Sequence, residues 1–148
     1  MKFELRLLNC LWLLIPLLIW NIILGPKLND PRLTADINSP AWQLIAENAS
    51  RILVFALPLI IPMQLKDSMS KAGLIVYGIG TLIYFSTWLP LMLAPQSAWS
   101  LSAVGALAPF VTPLAVFMGI ALIGHSWLYA VISLVFIFLH TFHGIQNL

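Results

Sequence analysis

Hydrophobic positions fill this chain in long runs, broken by short polar or proline-containing links. A helix needs about 20 mostly apolar residues to cross about 30 Å of hydrocarbon at about 1.5 Å per residue. Such runs predict five spans, at about 7–24, 41–65, 72–94, 101–123 and 127–145. The first ends on Gly25-Pro26, a Gly-then-Pro stop. Its run is too long for a signal-peptide core and no small-x-small cleavage pattern follows, so it reads as a retained helix. Cys10 stands near the start of that run, whereas a lipidated cysteine would follow it.

The second span is less regular. Its charge-free part, Ile52 to Leu65, is short for a crossing helix, so it must borrow length on its N-terminal side. Ser39-Pro40 offers an N-cap followed by proline at the first helical position, and Trp42, Leu44 and Ile45 form an apolar face opposite Glu47, Asn48 and Arg51. The pattern predicts one helix that starts in the interface and enters the membrane near Ile52. The links after the third and fourth spans are Pro95-Gln96-Ser97 and Gly124-His125-Ser126, short enough to force antiparallel neighbours. A four-span alternative keeps the segment around Pro109 and Pro113 as a re-entrant loop.

Composition agrees with this pattern. Hydrophobic residues make up 61% of the chain, charged residues only 8%, and no Asp, Glu, Lys or Arg follows Lys71. The expected fold is therefore an all-α integral membrane protein, one transmembrane bundle over residues 1–148 with several proline-bent helices. The formal charge of +2, without a Lys/Arg cluster, excludes a nucleic-acid footprint. The single cysteine excludes an internal disulfide framework. Lys2 and Arg6 before the first span, with Lys66 and Lys71 between the second and third, point to an N-terminus inside. The loop 26–40 then lies outside, as does the C-terminus if there are five spans. A short N-terminal segment and compact loops fit a multi-pass protein of a bacterial or archaeal cytoplasmic membrane.

Candidate chemistry lies in three places. In the last span His125, Tyr129, Ser133, Phe136, His140 and His143 follow at spacings of three or four, which puts them on one helical face. Polar groups are costly against lipid, so this face should look into the bundle. His140 and His143 are weak candidates for a metal or haem contact, since no carboxylate or cysteine elsewhere in the chain is expected to complete a ligand set. No cofactor is predicted. In the third span Gly73, Tyr77, Thr81, Tyr84 and Trp88 form a similar stripe, and the two stripes could meet across a cavity. Close packing through small residues is the plainer alternative, and it is the expected role of the glycine- and alanine-rich fourth span.

Glu47, Asn48 and Arg51 form the second place, where Arg51 could hold a lipid phosphate while Glu47 and Asn48 orient the head group. A simple ion pair is the alternative. Pro58 with Pro62 and Pro109 with Pro113 form the third, two similarly spaced pairs that suggest broken helices. No span contains an acidic residue suited to ion coupling, and no nucleophile elbow or phosphate loop occurs.

These observations favour a non-enzymatic five-helix protein that binds a lipid or small apolar ligand, or that serves as a subunit of a homo-oligomer or larger membrane complex. Ligand contacts are expected from Glu47, Asn48, Arg51, Tyr77, Thr81, Tyr84, Trp88, Tyr129, Ser133 and His140. An interfacial lipid-modifying enzyme using Glu47 and Arg51 is one alternative, and a small oligomeric transporter or channel another.

Overall fold

A computed structural model describes residues 8–28 and 39–148, and every regular element within them is helical. The helices are α1 (Leu11–Leu24, continued by a 3-10 turn Gly25–Lys27), α2 (Ala41–Ala56, with a 3-10 turn Leu57–Leu59), α3 (Ser68–Leu93), the single turn α4 (Ala98–Leu101), α5 (Ala103–Val111), α6 (Pro113–Ile123) and α7 (Trp127–Gln146). Three stretches are long and apolar enough to cross a membrane: α3, α5 and α6 taken together, and α7. The expected start of the first span at residue 7 and most of the loop 26–40 lie outside the described residues.

The second helix is shorter than its sequence predicts. It ends at Ala56, and Pro62 to Leu65 are not helical. Pro58 and Pro62 cannot donate helical hydrogen bonds, and the chain there finds other partners. The amide of Cys10 donates to Ile61, that of Met63 to Leu8 and that of Gln64 to Ile123. The expected cap also differs. Pro40 itself holds the N-cap position with extended backbone, and the Ser39 hydroxyl instead contacts Gln146 Oε1 at 3.2 Å.

The third helix begins four residues earlier than the apolar run suggests, at Ser68, because Asp67 accepts from the Ser70 amide and caps it. Ser97, Ser102 and Ser126 cap α4, α5 and α7 in the same way. At Thr112 the helix is interrupted, but the chain does not turn back. Gly144 near the end of α7 lies against Leu107 and Phe110 of α5, whereas Gly124 after α6 lies against Ile61 and Cys10 at the opposite end. The Pro109–Pro113 segment is thus one traverse of the bundle, not a re-entrant loop.

The passages alternate in direction. Tyr77 donates to the Leu13 carbonyl and Tyr84 to Asn21, so α3 runs parallel to α1. Ser39 meets Gln146 while Glu47 meets His140, so α2 runs antiparallel to α7. The closest helix pair is α3 with α6, and small residues make it so. A Cβ added at Gly119 would lie 2.5 Å from the Tyr77 amide nitrogen, and one at Gly80 would lie 2.8 Å from Ala115. The core packs Leu14, Leu17, Val54, Phe117, Ile120 and Tyr129.

The polar and apolar faces of α2 are inverted relative to a soluble helix. Trp42 and Ile45 are 63% and 69% exposed, whereas Gln43, Glu47 and Ser50 are buried. Outward apolar groups and an inward polar row are what a hydrocarbon solvent favours.

Candidate functional site

Glu47 is the centre of the site. It is 2% exposed, on the α2 face that packs against α7. Its Oε1 accepts from Arg51 one turn on, and the same oxygen meets His140 Nδ1 at 2.8 Å. Its Oε2 meets His143 Nδ1 at 2.9 Å. The spacing of three between the histidines sets both rings on the α7 face, so one carboxylate engages both.

Proton positions follow from this geometry. A carboxylate paired with a guanidinium has only acceptors to offer, so each Nδ1 carries the hydrogen. The Nε2 of His140, on the far edge of the ring, is left with its lone pair. That ring is held flat between neighbours, stacked on Phe136 with centroids 5.2 Å apart and tilted against Phe110 at 4.6 Å. The Arg51 guanidinium lies 5.9 Å from the Phe136 ring centre. Among the described residues no group of three or more His, Cys, Asp or Glu side chains is set to hold a metal ion.

Beside this cluster opens a cleft of about 370 Å³. Leu17, Leu18, Phe55, Phe117 and Phe136 supply apolar walls, and Pro109 and Pro113 line it where α5 meets α6. Its polar groups are Asn21, Arg51, Tyr84 and His140. Asn21 is internally satisfied, donating to the Leu17 carbonyl at 2.9 Å and accepting from the Tyr84 hydroxyl at 2.7 Å. The free capacity therefore comes from the remaining Arg51 N–H groups, the Tyr84 oxygen and the His140 Nε2.

The expected residues are gathered only in part. Glu47, Arg51 and His140 form one cluster with His143, and Tyr84 shares the cleft with Arg51 and His140. Asn48 does not join them, because it lies one helical step round from Glu47 and is exposed. The third-span stripe packs chiefly on α1 and α6, and meets the α7 stripe only at the cleft, where Tyr84 joins Phe136 and His140. Tyr77 bonds to Leu13, Thr81 is half-buried one turn further, and Trp88 packs edge-on against Tyr84. Tyr129 and Ser133 are fully buried in the core.

His125 does not share the α7 face as its spacing suggests: it precedes the Ser126 cap, with φ 50°, and belongs to the opposite end of the bundle. Its Nε2 lies 3.0 Å from Ser70 Oγ and 3.2 Å from Asp67 Oδ1, while Ser70 also donates to Asp67 Oδ2 at 2.7 Å. One nitrogen meets both partners, so this is not the relay of a hydrolase, in which serine and aspartate address different ring nitrogens. Asn21 was missed as a site residue. Its lone amide within an apolar span was the available signal, since an intramembrane polar side chain needs a partner.

No protein-family model matches the chain, and comparison with curated proteins and with solved structures gives no match. The fold and site define an all-helical protein with three helices able to cross a membrane and a buried carboxylate–imidazole cluster beside an apolar cleft.

Proposed function

We propose that this is a five-pass membrane protein that binds a lipid or another small amphiphile in the cleft between α1, α2, α3, α5, α6 and α7. The observation that carries the reading is the cleft itself, apolar along its walls and polar at Arg51, Tyr84 and His140. A ligand's tail would lie against Leu18, Phe55 and Phe117, with its head at the Glu47 cluster. Alternating helix directions, with Lys66 in the loop before α3 and Lys71 in the first turn of α3, support an N-terminus inside and a C-terminus outside.

Native mass spectrometry with lipid analysis on gently solubilised protein tests this. We expect one retained amphiphile, lost on Leu18→Trp, which fills the cleft from its α1 wall. A bare wild-type chain, or an adduct indifferent to Leu18→Trp, would sink the proposal. An absorption spectrum of the same sample tests the haem alternative at His140 and His143.

One observation favours a second reading, that of an interfacial lipid-modifying enzyme. Glu47 orients His140 through Nδ1 and leaves Nε2 to accept a proton, which is the arrangement of a general base. If so, His140→Gln should lower turnover of the co-purified lipid far more than it lowers retention.

A further inference from the structure

The Glu47 cluster is electrically complete before any ligand arrives. Arg51 is the one cation among the described residues that line the cleft, and its guanidinium is already paired with Glu47. An anionic head group would have to share that guanidinium and lie beside the buried carboxylate, where low polarity strengthens like-charge repulsion.

The hydrogen-bonding capacity left over is mixed. Arg51 offers donors, whereas His140 Nε2 and the Tyr84 oxygen offer acceptors. Arg51 and His140 both line the cleft, so a compact head group held there meets donors from one and an acceptor from the other. A hydroxyl group both donates and accepts, and it carries no charge. A phosphodiester or carboxylate only accepts, and would leave His140 Nε2 without a hydrogen.

From these observations we infer that the cleft selects an uncharged, hydroxyl-headed lipid of the acylglycerol class over an anionic phospholipid. The head hydroxyl donates to His140 Nε2 and accepts from Arg51, and the acyl chain lies along the apolar walls. This rests on the lipid-binding reading of the cleft and names the class of its ligand.

A matched pair of probes tests it: 1,2-dioleoylglycerol and its phosphate ester, which share both acyl chains and differ in that the single head hydroxyl of the first is replaced by an anionic phosphate in the second. Each is titrated into delipidated full-length protein in uncharged detergent at about pH 8, where free imidazole is neutral, and read by native mass spectrometry. The wild type should retain dioleoylglycerol about tenfold better than its phosphate ester, the worth of one buried hydrogen bond left unmade. His140→Phe, which keeps the ring stacking, should erase that preference. Equal retention, or preference for the phosphate ester, would overturn the inference while leaving lipid binding in place, provided Leu18→Trp still abolishes retention. Retention of neither probe would overturn both.

Discussion

Glu47 holds three donors from two helices inside an apolar bundle, and that makes it the residue on which the α2–α7 contact depends. Removing one partner from a buried charged network costs more than the pair ever contributed, because the remaining groups are left without compensation. Glu47→Ala should therefore destabilise the folded protein by about 3 kcal/mol, read as a lowered unfolding midpoint in detergent. Glu47→Gln keeps one acceptor and should lose less. If Glu47→Ala melts like the wild type, the cluster is not structural. At the other end, hydrogen bonds from the Ser70 amide and hydroxyl pull the Asp67 carboxyl down to about 2. A folded pKa below the free value of about 3.9 means stabilisation that is present above pH 4 and is lost as pH falls towards 2. Thermal midpoints across that window should drop in the wild type and stay flatter in Asp67→Asn. A parallel fall in both would place the acid sensitivity elsewhere.

Helix contacts obey membrane packing rules more than hydrophobic periodicity. The α3–α6 pair depends on glycines that let the backbones touch, and its tolerance should differ sharply from site to site. Gly119→Ala places a methyl 2.5 Å from the Tyr77 amide, so the helices must separate, at about 1–3 kcal/mol. Gly78, on the same α3 helix, has open space around it, and Gly78→Ala should be neutral or slightly stabilising. Equal melting of the two variants would mean that α3 and α6 are not in close contact. The prolines also act at this scale. Pro113 opens α6 after the break at Thr112 without reversing the chain, whereas Pro58 and Pro62 end α2 outright. The difference lies in what receives the freed backbone: Leu8, Cys10 and Ile123 pair with residues 61–64, but Thr112 bonds back to Ala108 and continues the helical path.

Across the whole molecule, helix direction alternates along the chain, which predicts a simple sidedness. Reporters fused at the two termini should fall on opposite sides of the membrane, and a same-side result would exclude five passes. The outer surface carries Trp12, Ile22, Ile45, Leu82, Trp127 and Phe138 towards the surroundings, a girdle that would be an aggregation liability in water and is the expected face towards lipid.

Several features were legible in the residues alone. An almost charge-free chain with long apolar runs leaves helices as the only way to satisfy its backbone in lipid, so the all-helical fold follows from composition and period. The inward stripe of α7 followed from spacing, because a 3.6-residue helix admits one face for residues three and four apart. What tertiary structure alone decided is which stripes meet. Tyr77 and Tyr84 turned to α1, and His140 and His143 found Glu47 more than ninety positions away. No local pattern encodes that pairing, since it depends on how antiparallel α2 and α7 register along their axes. The inversion of α2 was equally hidden. Amphipathic spacing marks two faces, but which one turns inward is set by the solvent and the neighbours, and a buried carboxylate is affordable only once two imidazoles and a guanidinium converge on it.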